Sequence, residues 1–209
     1  MWLLPSRGRP QLIARVFSKT VTTEPGVVGI DEDEVDLYSD VALPRRWIFH
    51  VCPRLYLGPK LNYLVGQFPG RPWYGNINDD MLPETQGWDG LLPQAAGRRG
   101  IAWADDGLNR RLGAAAYGGE LIRDLGWLAC PALKHFYIDD VHELIAAELA
   151  VGTLCRDIRI AHLHWSAGLT PRDRTTNERP PSDADRHAFE AWRVAAWPTV
   201  RERLRNGAS

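Results

Sequence analysis

Cysteine, lysine, long apolar runs and net charge are all scarce in this chain, and each scarcity removes a class of protein. Only three cysteines occur in 209 residues, Cys52, Cys130 and Cys155. An odd, widely spaced set fits free thiols in a reducing compartment rather than a disulfide framework or a zinc cluster. No apolar run approaches the length of a membrane span. The apolar start Trp2-Leu3-Leu4 is cut short by Pro5, too soon for a secretion signal, so a cytoplasmic location is expected. A net charge of −1 offers no global basic field for nucleic acid, while leaving room for a local basic groove. Lysine appears three times against 22 arginines, a bias that phosphate recognition and codon usage would each produce. Neither G-x-x-x-x-G-K-[ST] nor G-x-G-x-x-G occurs, so the P-loop and dinucleotide fingerprints are absent.

What is present reads as one globular chain with a full core. Strand-like and helix-like segments alternate, which predicts an α/β fold. Strands are expected at 1–5, 27–30, 47–51, 73–78, 100–104 and 157–164. Helices are expected at about 10–22, after Gly58 through Val65, and over 118–125 and 139–151. The first of these helices has Pro10 near its first turn and Leu12, Ile13 and Val16 on one face. Beyond Ser166 the character changes. Residues 170–185 are rich in Pro, Arg and Thr without an apolar period, the composition of a flexible segment. Residues 183–205 then read as one helix with Phe189, Trp192, Ala196, Val200 and Leu204 in a stripe, either packed on the domain or used for association.

The segment Trp73–Met81 is a run of β-formers that ends in Asn78-Asp79-Asp80. Adjacent carboxylates repel, so they need a cation or a solvated turn, and a hard divalent ion carrying phosphate oxygens is such a cation. Ser6, Arg7, Arg9, Asp31, Asp105 and Asp106 also fall at strand ends, where ligands bind in open α/β sheets. His162 and His164 alternate with Leu163 and would share one strand face, a pair suited to a mixed nitrogen and oxygen site for manganese or a similar ion. The structural alternative is one buried and one surface histidine. Tyr137-Ile138-Asp139-Asp140 stands at the start of a helix, where a carboxylate serves as N-cap or as a base.

The order of five short motifs carries a resemblance: PSRGRP after the first strand, an acidic end to the second, NDD after a later strand, YIDD before a helix, and HLH near residue 163. Together they resemble the glycosyltransferase-A fold, and within it small family 2-type glycosyltransferases, including short ones of bacteriophages and bacteria. The resemblance spans roughly residues 1–168. It implies an open twisted, mainly parallel sheet flanked by helices, with the C-terminal helix as an extension. It further implies a catalytic, nucleotide-sugar-binding domain over 1–168, a flexible segment over 169–185 and a C-terminal helix over 186–209. If the gene is a phage's, the location is the host cytoplasm.

The implied activity is transfer of a sugar from a nucleotide-diphosphate sugar, a UDP-sugar foremost, to an acceptor hydroxyl with inversion, assisted by Mn2+ or Mg2+. Asp80 and His164 are the implied metal ligands, with His162 behind His164. Asp139 is the implied base and Asp140 the second choice. Pro5, Ser6, Arg7, Arg9, Asp31, Asn78 and Asp79 would hold the donor, Arg7 and Arg9 on the diphosphate and Asp31 on the base or ribose. Trp88, Asp106 and Trp127 are set on the sugar or acceptor side, since apolar sugar faces stack on indole. The acceptor is open between hydroxymethylated DNA, a glycan and a small molecule. Two departures stand out: Asn78 where the family often has Asp, and Asp-Asp where it often has Glu-Asp. No Q-x-x-R-W follows, which argues against a processive synthase. The competing classes are a metal-dependent phosphoester hydrolase and a non-catalytic nucleotide-binding protein.

Overall fold

A computed structural model describes residues 1–108, 111–163, 168–169 and 172–207. In chain order the elements are β1 (Trp2–Pro5), α1 (Pro10–Val16), β2 (Gly26–Asp31), a 3-10 segment (Glu32–Tyr38), β3 (Trp47–Cys52), α2 (Leu57–Gln67), β4 (Trp73–Asn76) and β5 (Met81–Pro83). There follow α3 (Trp88–Ala96), β6 (Ile101–Asp105), β7 (Ala115–Gly118), α4 (Gly119–Leu125), α5 (Ile138–Glu148) and β8 (Gly152–His162). Last come α6 (Arg174–Asn177), α7 (Ser182–Ala195) and α8 (Trp197–Asn206). Among the described residues eight strands form one sheet in the order β3-β2-β1-β4-β7-β6-β8-β5. The first four run parallel. β7 is antiparallel to β4 and β6, β6 and β8 are parallel, and β5 closes the far edge antiparallel to β8.

Alternation along β1 divides the core. Leu3 joins a cluster with Leu61, Leu64, Tyr117, Leu121 and Ile145 on the face covered by α2, α4 and α5, whereas Trp2 and Leu4 join Ile13, Val28, Trp88 and Leu92 beneath α1 and α3. Two strand glycines make room for this packing. A Cβ on Gly75 would overlap the Trp2 ring, and one on Gly26 the ring of Trp47.

Several elements differ from the sequence expectation for identifiable reasons. The helix begun at Pro10 ends at Val16, because the β-branched run Thr20-Val21-Thr22-Thr23 is a poor helix former. β7 is built of Ala and Gly around the single β-former Tyr117, too little for a strand signal. α3 holds Gly90 and Pro93, which mask it as a helix. Pro93 leaves the Asp89 carbonyl without its helical donor, and the Trp2 indole N–H takes that place at 2.9 Å. The expected single C-terminal helix is two, broken at Ala196 ahead of Pro198.

Candidate active site

Loops at the strand ends enclose a cleft of about 550 Å³. Its floor is the PSRGRP loop after β1. Gly8 sits at φ 62° and donates its N–H to the buried Glu34 carboxylate at 2.6 Å, which fixes the loop over the 3-10 segment. Asp31, at the end of β2, is fully buried beneath the cleft. One of its oxygens accepts from Arg7 Nε at 2.5 Å and the other from Lys60 Nζ. The expected role of Asp31 on the base or ribose is therefore corrected: both oxygens are taken, and Asp31 instead orients Arg7 and Lys60, which do line the cleft. Lys60 was missed by the motif reading. Its signal was a lysine on the Leu61–Leu64 face of an otherwise apolar helix.

The acidic turn follows β4, which ends at Asn76 so that Asn78, Asp79 and Asp80 leave the sheet. Asp79 accepts from Ser6 Oγ and from Arg9 Nη1, both at 2.9 Å. Burial pushes its carboxyl up to about 6 against the pull of Arg9. Asp80 points the other way. Met81 pairs with His162 across the β5–β8 ladder, and the Leu163 N–H donates to the Asp80 carbonyl at 2.8 Å. This register brings His162 Nε2 within 3.4 Å of Asp80 Oδ1. Burial works to raise Asp80, but the neighbouring His162, with Arg9 and Arg179, holds it below the usual carboxylate range. His162, placed second from the sequence, is thus the imidazole that the described residues bring to Asp80; His164 lies outside them. β8 ends at His162. Asn76 Oδ1, Asn78 Oδ1 and Asp80 Oδ1 are buried acceptors that receive no hydrogen bond.

Across the cleft, α5 begins after Tyr137, whose φ of 63° turns the chain sharply into the helix. Asp139 and Asp140 occupy its first turn and both line the cleft. Arg111 separates them electrostatically. It donates to Asp140 Oδ1 at 2.6 Å and reaches Glu143 at 3.3 Å, while no ion pair holds Asp139 among the described residues. Burial, with the adjacent Asp140 charge, pushes Asp139 up to about 6 against the pull of Arg111. Beneath it His142 is locked. Its Nε2–H donates to the Leu128 carbonyl at 2.7 Å, so Nδ1 accepts from Tyr117 Oη at 3.1 Å.

The remaining wall comes from the segment read as flexible. Asp173 accepts from Arg9 Nε at 2.6 Å and caps α6 through Thr176 N–H at 2.9 Å; Thr175 Oγ1 donates to the Arg7 carbonyl at 2.6 Å. Glu178 binds Arg54 at 2.9 Å, and Arg179 lines the cleft. No local pattern in the sequence marks these residues as site residues.

Two aromatic expectations are corrected. Trp88 is fully buried in the core, tilted on Trp2 at 4.6 Å with its indole N–H donated to Thr20, because it belongs to the buried face of α3. Trp127 packs on Trp192 of α7 at 6.3 Å and does not line the cleft. Asp106 does line it, with one carboxylate oxygen accepting from the Leu108 N–H at 2.9 Å.

The chain matches a mannosyltransferase of Pyrobaculum calidifontis, solved with GDP-Man and Mn2+, over 99% of its own length and 72% of the other, with a TM-score of 0.56 and 15% identity. The chain has the glycosyltransferase-A fold. A second glycosyltransferase-A structure, glucosyl-3-phosphoglycerate synthase of Mycobacterium tuberculosis with Mn2+, UDP and phosphoglyceric acid, matches over 97% of this chain and 77% of that one, with a TM-score of 0.56 and 12% identity. The glycosyltransferase-A core is also similar to a putative glucose-1-phosphate thymidylyltransferase of Bacillus anthracis, over 88% of this chain and 98% of that one, at a TM-score of 0.51 and 11% identity. No protein-family model matches the sequence, and neither does any curated protein.

Proposed function

We propose that the protein transfers a sugar from a nucleotide-diphosphate sugar to an acceptor hydroxyl, with inversion, using Asp139 as base. The observation that carries this is a division of labour across one cleft. Asp139, in no ion pair among the described residues and raised toward 6, lines the same cleft as Asp80, His162 and the Ser6–Arg9 loop. A carboxylate of that basicity takes the acceptor proton as the hydroxyl attacks. Arg7, held by Asp31 and by the Leu55 carbonyl at 2.8 Å, supplies a fixed cationic wall for the donor's phosphates. Fold neighbours with nucleoside diphosphates in place support the same donor class.

The residues present fit a divalent ion. Asn78 Oδ1 is a buried oxygen without a donor, Asp80 Oδ1 meets His162 Nε2 at 3.4 Å, and phosphate oxygens and water complete such shells for Mg2+ and Mn2+. When bound, the ion would act as a Lewis acid on the leaving diphosphate. Among the described residues no three His, Cys, Asp or Glu side chains form a metal cluster. No helix among the described residues is long and apolar enough to cross a membrane.

Thermal melting with UDP, GDP and the other nucleoside diphosphates, each with and without Mn2+, tests the proposal. One diphosphate should raise the melting temperature more with the ion than without it, and the corresponding labelled sugar nucleotide should then be consumed on addition of hydroxymethylated DNA or a glycan acceptor. Silence to every diphosphate together with phosphodiesterase turnover would overturn it.

A further inference from the structure

The cationic groups of the cleft are nearly all committed. Arg7 and Lys60 are bound to Asp31, Arg9 to Asp79 and Asp173, Arg111 to Asp140 and Glu143. Arg179 is the exception. It lines the cleft and makes no ion pair among the described residues, and its buried Nε has no acceptor. The carboxylates nearest in charge are engaged elsewhere: Asp79 with Ser6 and Arg9, Asp80 with His162, and Asp173 with Arg9 and Thr176.

The backbone around Arg179 is pinned on both sides. On the N-terminal side Asp173, Thr175 and Glu178 tie the segment to Arg9, the Arg7 carbonyl and Arg54. On the C-terminal side Pro180-Pro181 leads into α7, where the buried Asp185 accepts three backbone N–H groups from Lys134, His135 and Phe136 at 2.8–2.9 Å. A guanidinium cannot shed its charge, so a partly buried and unpartnered one carries a desolvation cost that a structural role would have offset with an acceptor. An anion entering the cleft is the missing acceptor. Its fork matches phosphate oxygens in pairs.

We propose that Arg179, carried by the C-terminal segment outside the catalytic core, is a binding residue for the diphosphate of the nucleotide donor and product. This rests on the donor class proposed above. It makes the segment 172–182 part of the active site rather than a tether between domain and helix. As the sugar–phosphate bond breaks, charge accumulates on the departing diphosphate, and Arg179 lines the same cleft as Arg7 to receive it.

Calorimetric titration of the full chain with UDP, GDP, uridine and guanosine, all in Mn2+, tests the assignment. Arg179→Gln should weaken the diphosphate that the wild type binds by about ten- to a hundredfold, leave the nucleoside unchanged, and leave the unliganded melting temperature equal or higher. Equal diphosphate affinity in wild type and variant would overturn the assignment while leaving the proposed function standing. A lower unliganded melting temperature with unchanged affinity would likewise make Arg179 structural. If the wild type binds none of the nucleoside diphosphates of the melting panel, the function falls, and this assignment with it. Should Arg179→Gln fail to fold, Arg179→Met keeps the apolar stem and takes its place with the same readout.

Discussion

Asp139 and Asp140 are neighbours in sequence and opposites in environment. Arg111 holds Asp140 in an ion pair, while Asp139 is half-buried, in no ion pair among the described residues, and pushed up to about 6. Either carboxylate can sit in a helix's first turn, and only the family resemblance ranks Asp139 ahead of Asp140 in the sequence. The proposed base must be ionised to work. Asp139 is therefore competent above about 6 and loses activity as pH falls through that value, as a single protonation in the kcat/KM profile. Asp139→Asn is expected to lower kcat by about a hundred- to ten-thousandfold and abolish that limb, with Asp140→Asn the milder change. Steady-state kinetics from pH 5 to 8 on both variants decide it; a larger loss in Asp140→Asn would reverse the assignment.

At the scale of elements, α7 reaches the site without lining it at Asp185. That carboxylate holds the backbone of residues 134–136, and Phe189 stacks on Tyr137 at 5.5 Å, so the turn with φ 63° that presents Asp139 is clamped from the C-terminal side. Asp185→Asn exchanges an oxygen acceptor for an N–H that opposes the backbone donors. It should cost about 1–3 kcal/mol in urea denaturation and lower kcat more than it raises the donor KM. An unchanged kcat with lower stability would confine Asp185 to holding the fold. The same scale explains why His162 meets Asp80. The β5–β8 ladder sets Met81 opposite His162, and a register is a property of two strands, one of which, β5, carries only three residues and no strand signal of its own.

For the whole molecule, the C-terminal helices are continuous with the core. Trp197 and Leu204 of α8 are buried in the cluster that holds Leu125, Leu128 and Ile145, and Trp192 bridges to Trp127 and Trp197. Trp197→Ala should therefore cost about 3–5 kcal/mol, read as a lower urea midpoint in a single cooperative transition. A separate early transition, with the rest unchanged, would show instead that the C-terminal helices melt alone.

Local chemistry was legible in the residues themselves. The alternation of strand and helix, the charged strand ends, the Asn78–Asp80 turn and the acidic first turn of α5 each have a short-range cause: side-chain period, β-propensity, or charge against a helix dipole. The tertiary structure alone decided which partners those groups meet. It buried Asp31 under Arg7 and Lys60, drew Trp88 into the core, brought His162 to Asp80 and laid Arg179 over the cleft. Such contacts join residues far apart in the chain, where no periodicity links them and only the sheet order and the packing of the C-terminal segment set the distance.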